Sequence, residues 1–230
     1  MDYSTETNIN ITNNNEDKND DKSREISPAV VRRLPRYYRY LDELLRDNKT
    51  KISSKELADL MDITASQIRS DLNCFGEFGH QGYGYNIHKL HSELAKILGV
   101  DRKFTAIIVG AGSLGAALTR SKLFIKRGVH LKALFDINPT LIGTNIGELE
   151  VFNAASMAEF CRDNKIDIAV LTLPKEETQN TADILAAAGV KGFWNFSNME
   201  LELSKSGVIV ENMHMGDSLM TLTYALSQTI

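Results

Sequence analysis

"FTAIIVGAGSLGAAL", residues 104 to 118, is the stretch that decides the fold. An apolar strand from Phe104 to Val109 runs directly into Gly110-x-Gly112-x-x-Gly115 and then into helix-forming residues. In that order Gly110 makes a tight turn, Gly112 lets backbone approach a pyrophosphate, and Gly115 lets helix and strand pack closely. A second apolar strand, "LKALFD", ends in Asp136, 21 residues after Gly115, where the ribose of an adenosine would be held. No arginine follows in "DINP" to meet a 2′-phosphate, which favours NAD(H) over its phosphorylated relative. The candidate cofactor contacts are therefore Gly110, Ala111, Gly112, Ser113, Leu114, Gly115 and Asp136.

Downstream, "DIAVLTLP" (167–174) is another buried strand ending in a loop, "TADILAAAGV" a helix and "GFWNFS" a strand. Strands alternating with helices give a doubly wound parallel sheet with its ligand across the strand C-termini. Thr172, Pro174 and Asn195 lie at such ends, beside the nicotinamide half. A dehydrogenase needs a further substrate domain and an acid or base near the hydride acceptor. From residue 104 onward the nucleotide fold uses up almost the whole chain, so the expectation is binding without turnover and no catalytic residue.

Upstream, "SPAVVRRLPRYYRYLDELLRD" opens with a Ser-Pro helix start and carries Tyr37, Leu41, Leu44 and Leu45 at helical spacing. Pro35 kinks this helix or starts its main part. Arg32, Arg36 and Arg39 share one face, with no acid among residues 28 to 41. "ISSKELADLMDITASQIRSDLNCFG" reads as two short helices, the first capped by Ser54 with Leu57, Ala58 and Leu60 inward, the second capped by Thr64 with Ile68 and Leu72 inward. That is helix-turn-helix spacing. The following "GEFGHQGYGYNI", with four glycines and alternating Tyr83, Tyr85 and Ile87, reads as a small hairpin, which makes the whole a winged helix.

A recognition helix keeps apolar residues inward and sends polar ones toward base edges and phosphates. Gln67, Arg69 and Ser70 hold that outward face, with Arg69 suited to guanine, Gln67 to adenine and Ser70 to a phosphate. Lys55, Thr64 and Ser66 adjoin them, and His80, Gln81 and Tyr83 lie on the wing. The competing reading of Arg69 is a salt bridge to Asp71 or Glu77, and that of the wing tyrosines is packing on their own helices. His88 and His91 lack a completing cysteine or carboxylate set, so they read as a surface pair and no metal site is expected.

Residues 1–25 are rich in Asn, Asp and Thr and read as a disordered tail. Net charge is −4 for residues 1–27, +2 for 28–91 and −2 for 92–230, so a local basic patch matters more than the total. At 43% apolar and 24% charged, with no apolar run long enough for a membrane span and no secretory signal order, the expected location is the cytoplasm. Cys74 and Cys161 are the only cysteines and fit reduced thiols. Cys74 reads as a semi-buried structural thiol, with an oxidant sensor as the alternative. The final "GDSLMTLTYALSQTI" is a helix with Leu219, Leu222 and Leu226 on one stripe, the best candidate for a dimer contact.

"RRLPRYYRYL", the helix-turn-helix and wing, "VGAGSLGAAL", "FDINP", "LTLP" and "ENMH" with the last helix, in this order and spacing from about residue 26 to the end, resemble the Rex family of bacterial redox-sensing transcriptional repressors. The resemblance implies homodimers whose winged helices bind a palindromic operator on double-stranded DNA, Rossmann domains that sense the NADH to NAD+ ratio, C-terminal helices swapped between subunits, and release from DNA by NADH. It also implies an interdomain switch, for which Arg39 matches the family's arginine. Ser121 and His214 stand where a tyrosine and an aspartate are usual.

The resulting division is a tail at 1–25, a winged-helix DNA-binding domain at 26–91, a Rossmann NAD(H)-binding domain at 92–215 and a dimerisation helix at 216–230. The alternatives are an NAD-dependent oxidoreductase and a DNA-binding regulator of another adenosine ligand such as a coenzyme A ester.

Overall fold

The structure, a computed structural model, describes residues 26–75, 79–80, 84–203 and 207–229. The expectations for the tail, for Gln81 and Tyr83, and for the His80 side chain lie outside the described residues. The chain divides into two compact units between Asp101 and Arg102.

The first unit begins with α1 (Pro28–Arg46), whose N-cap Ser27 accepts a hydrogen bond from the Val30 amide. Pro35 interrupts neither its start nor its course: the helix is continuous, with that ring on the exposed side. After β1 (Lys51–Ile52) comes α2 (Ser54–Met61), capped by Ser53, not Ser54, because Ser53 and Glu56 form a reciprocal capping box. Leu57, Ala58 and Met61 face the core, whereas Leu60, expected inward, is 46% exposed. The helical period places Met61 over Leu57 and turns Leu60 outward.

Asp62, in the left-handed region at φ 52°, ends α2, and Thr64 caps α3 (Ala65–Asn73) by accepting from the Gln67 amide. β2 (Gly79–His80) and β3 (Gly84–Asn86) form a hairpin that joins β1 in an antiparallel sheet of order β1-β3-β2. α4 (Ile87–Ile97) follows, and its Leu90 and Leu94 pack with Leu34, Tyr37, Leu41, Leu57 and Ile68 in one core. The division expected after residue 91 falls inside α4, whose Ile87, Leu90 and Leu94 are all buried in the first core.

The second unit runs β4 (Phe104–Val109), α5 (Ser113–Arg120), α6 (Leu123–Lys126), β5 (Val129–Asp136), β6 (Asn145–Ile146) and β7 (Leu149–Asn153). It continues with α7 (Met157–Asn164), β8 (Ile168–Leu171), α8 (Lys175–Ala187), β9 (Gly192–Asn195), β10 (Ile209–Asn212) and α9 (Met215–Ser227). The strands form one sheet of order β10-β9-β8-β4-β5-β7-β6, parallel except for the β6–β7 pair. Ile107, Val109, Phe135 and Leu171 pack on one face and Ile108, Leu134 and Val170 on the other, so both faces are covered as a doubly wound sheet requires. From β4 the chain winds outward first through β5 and β7 and then through β8 and β9, so the strand order reverses beside β4. Ligand crevices open at such a reversal, outside the strand C-termini.

Candidate DNA-binding and dinucleotide sites

In the first unit α3 presents Ser66, Arg69 and Ser70 to solvent, with Lys55 of α2 and the cap Thr64 also exposed. Arg69 does not form the expected salt bridge to Asp71: its Nη1 donates to Ser54 Oγ at 3.0 Å, and the alternative partner Glu77 lies outside the described residues. Cys74 is exposed, not semi-buried, and its thiol lies 3.4 Å from the Ser70 carbonyl.

The inward face of α3 carries a group that sequence reasoning missed. Asp71 is 1% exposed and accepts four hydrogen bonds: from Arg33 Nε (2.6 Å) and Nη2 (2.8 Å), Tyr37 Oη (2.6 Å) and Gln67 Nε2 (2.7 Å). Burial opposes its charge, but the hydrogen bonds from Arg33, Tyr37 and Gln67 together with the Arg33 charge outweigh it and hold the carboxyl below the usual range. Burial beside this carboxylate also raises the Tyr37 hydroxyl, which stays protonated. Arg36 of α1 donates to the Met61 carbonyl at the end of α2. The two contacts tie α1 to both members of the helix-turn-helix. The Arg39 guanidinium lies 5.6 Å from the centre of the Tyr40 ring.

His88 and His91 are not a surface pair. His91 stacks on Tyr38 at 4.3 Å, and its Nε2 lies buried 3.8 Å from Asp42 without a hydrogen bond. Burial lowers its pKa, more than the Asp42 carboxylate raises it, and His88 lowers it further. Among the described residues no group of three or more potential metal ligands occurs.

In the second unit the glycine loop divides its labour. Gly110 has φ +100°, and a Cβ there would lie 2.6 Å from the Thr172 carbonyl oxygen. At Gly115 a Cβ would lie 2.0 Å from the Gly110 carbonyl oxygen, so both glycines are required by packing alone. At Gly112 a Cβ would meet nothing within 4 Å. The protein leaves that approach open, and Gly112 heads α5 with no side-chain cap on its first amides, which suits a pyrophosphate. Ala111 is buried, Ser113 exposed and Leu114 half-buried around this turn.

Thr172 Oγ1 donates to the Gly110 carbonyl at 2.7 Å and so braces the loop from β8. Asp136 does the same from β5: its Oδ2 accepts from the Ala111 amide at 2.7 Å and its Oδ1 from the Asn138 amide at 2.8 Å. Each carboxylate oxygen keeps acceptor capacity for a ribose hydroxyl. Asn195 is the exception among the expected contacts. It is 0% exposed, and its amide is occupied by Met199, Asn212 and Ser197, so it organises the loop after β9 and has no atom free for a ligand. Pro174 is exposed at the head of α8. Ser121 Oγ accepts from the Leu123 amide at the start of α6, and His214 Nε2 lies 2.9 Å from Glu200 Oε1.

A three-helix and hairpin reader of nucleic acid, followed by a dinucleotide-type sheet, defines the class as a ligand-responsive transcription regulator. A family profile described as a putative DNA-binding protein N-terminus matches residues 25–73, and one described as a CoA binding domain matches residues 101–199. The redox-sensing transcriptional repressor Rex of Thermoanaerobacter pseudethanolicus is 50% identical over 207 residues, covering 90% of this chain and 92% of that protein. Its namesake in Clostridioides difficile is 51% identical over 206 residues, covering 90% and 98%. The crystal structure of RSP with β-NAD+ and operator DNA superposes with a TM-score of 0.84 at 50% identity over 89% of this chain and 94% of that one. RSP with β-NADH gives 0.82 at 48% identity over 89% and 95%. The chain belongs to the Rex family of redox-sensing transcriptional repressors.

Proposed function

We propose that this protein is a homodimeric repressor that binds a palindromic operator through α3 and the adjoining hairpin and leaves it when NADH occupies the glycine loop. The observation that carries this reading is the presence, in one chain, of an exposed polar face on α3 and an open approach over Gly112. The relative RSP has been solved with β-NAD+ and operator DNA and with β-NADH.

DNA binding is assigned to the first unit, with Lys55, Thr64, Ser66, Gln67, Arg69 and Ser70 at the interface and His80, Gln81 and Tyr83 on the wing. The second unit holds NADH or NAD+: the amides at Gly112, Ser113 and Leu114 face the pyrophosphate, Asp136 the adenosine ribose, and Thr172 and Pro174 the nicotinamide end. The dinucleotide acts here as a regulatory ligand whose oxidation state is sensed and not consumed.

Two-fold DNA reading needs a dimer, and α9 is suited to form it. It buries no residue, and its Leu219, Met220, Leu222, Tyr224 and Leu226 are between 52% and 68% exposed. An apolar helix so exposed calls for an apolar partner, and exchange of α9 between subunits supplies one. No helix among the described residues is long and apolar enough to cross a membrane, and a DNA reader that senses NADH works in the cytoplasm.

Two dimer geometries, one with recognition helices at the spacing of successive major grooves, would be biased by the ligand only through its differential affinity. A hundredfold preference of NADH for the released form supplies about 2.7 kcal/mol. Arg39, Ser121 and His214 are assigned to the coupling. The decisive measurement is binding of purified protein to labelled upstream DNA alone, with NAD+ and with NADH. Tight binding abolished by NADH alone is expected, and binding indifferent to both nucleotides would refute the sensor. Release by a coenzyme A ester with indifference to NADH would favour the match to a coenzyme A binding profile instead.

A further inference from the structure

Among the side chains assigned to DNA, Gln67 differs from its neighbours in being already hydrogen-bonded inward. Its Nε2 donates to Asp71 Oδ1 at 2.7 Å. Asp71 is itself held by both arms of Arg33 and by the Tyr37 hydroxyl, all from α1. A carboxylate offers acceptors only, so the Gln67 atom facing it must be the NH2 group. The amide cannot flip without setting its carbonyl oxygen against a buried negative charge. Gln67 Oε1 makes no hydrogen bond within the described residues and is not among the buried atoms lacking a partner, so it is open to solvent. The side chain sits in the first turn of α3, three residues after the cap Thr64, where recognition helices meet base edges.

A free glutamine reads adenine with two bonds, donating to N7 and accepting from the 6-amino group. Here one N–H of the amide is already engaged, which leaves its second N–H and the Oε1 acceptor for a base. We propose that Asp71 is a positioning residue that fixes the Gln67 amide with its NH2 group toward the carboxylate and its Oε1 away from it, so that Gln67 accepts from the exocyclic amino group of adenine or cytosine in the major groove. These are the two bases that present a donor there. The α1 network thereby sets both the seating of the recognition helix and the polarity of one of its reading groups. This inference rests on the assignment of α3 to DNA.

The test uses the full-length protein without NADH and an operator selected by it from a randomised duplex pool. At each adenine of a half-site, purine lacking the 6-amino group is substituted, and at each cytosine the analogue lacking the 4-amino group. One position is expected where removing the amino group weakens binding about tenfold, the loss of one well-placed hydrogen bond. Gln67→Ala, a change outside the core, abolishes this amino-group dependence at that position. Asp71→Asn, which removes the charge that orders the amide, reduces the amino-group dependence at that position, whereas a merely structural Asp71 would weaken all duplexes by one common factor.

A wild type with no position sensitive to loss of an amino group would overturn the proposal, as would an analogue profile unchanged by Gln67→Ala. Failure of Asp71→Asn to fold leaves the wild-type and Gln67→Ala profiles to decide it. A wild type that selects no duplex at all would instead remove the DNA-binding reading beneath it.

Discussion

Asp71 in the first unit and Asp136 in the second both stand on elements that carry function, yet their surroundings differ. Asp71 is 1% exposed and surrounded by side chains of Arg33, Tyr37 and Gln67. Asp136 is half-buried and takes backbone amides only, from Ala111 and Asn138. The first carboxylate is saturated by its own fold and acts on DNA only through a neighbour. The second braces a loop while keeping acceptor capacity for a ligand. A buried charge compensated by several partners specifies one geometry, whereas a half-buried one with spare acceptors can be completed from outside.

The contrast is broken most directly at Asp71. Asp71→Ala leaves Arg33 without its carboxylate and the buried Tyr37 hydroxyl without an acceptor. A loss of about 3 kcal/mol in the stability of the first unit is expected, at the low end for a buried pair because Arg33 keeps access to solvent. Denaturant unfolding followed in the first unit should show it, with NADH affinity unchanged. A loss of NADH affinity instead would mean that the two units do not hold their charges independently.

Within the second unit, the glycines separate packing from binding. Gly115→Ala forces a Cβ to 2.0 Å from the Gly110 carbonyl oxygen, and a destabilisation of about 2 kcal/mol is expected in thermal melts of the apo protein. Gly112→Ala meets no protein atom within 4 Å, so the apo protein should melt as the wild type does while NADH binding weakens. Equal melting losses in both variants would show that the open approach at Gly112 belongs to the fold and not to the ligand.

Asp136→Ala should then lower NADH affinity about tenfold, near 1.4 kcal/mol, through loss of the ribose acceptor and of the brace on Ala111. Operator binding without NADH is expected to stay intact, as calorimetry beside a gel-shift assay would establish.

The smallest effect concerns pH. The folded state holds the His91 pKa below its ordinary value, so the contribution of neutral His91 is fully present above about pH 6.5 and is lost as pH falls through the lowered value. The groups facing it are Tyr38 by stacking, Asp42, which is also paired with Arg46, and His88. His91→Phe keeps the stack and should flatten the fall in melting temperature between pH 7 and 5. An unchanged slope would place the acid sensitivity elsewhere.

Much of this was legible in the chain. The apolar run Phe104–Val109, the glycines at fixed offsets and Asp136 at the end of the next strand announce β4, α5 and β5, because a turn of that sharpness admits few alternatives. Thr64 capped α3 as expected, since a cap is a local bond over three residues. Ser53 was missed as the cap of α2 although Glu56 three residues on is the capping-box signal. The Arg33–Tyr37–Asp71 network also left a trace. Arg33 and Tyr37 fall on the α1 face that buries Val30, Leu34 and Leu41, and Asp71 stands in phase with Ile68 and Leu72. Charged residues at core phase ask for each other.

The sequence by itself determined the helix-turn-helix, the β4–α5–β5 unit with its glycine turn and the parallel alternation of strands and helices after it, because these follow from local backbone preferences and from patterns with a fixed period. Which polar atoms remain free was decided only by tertiary structure. Asn195 looked available at a strand end and is saturated; Gln67 looked free at both ends of its amide and is committed at one. The physical reason is that hydrogen-bond capacity is allotted between residues far apart in the chain, such as Arg33 and Asp71, and no window of sequence contains both partners.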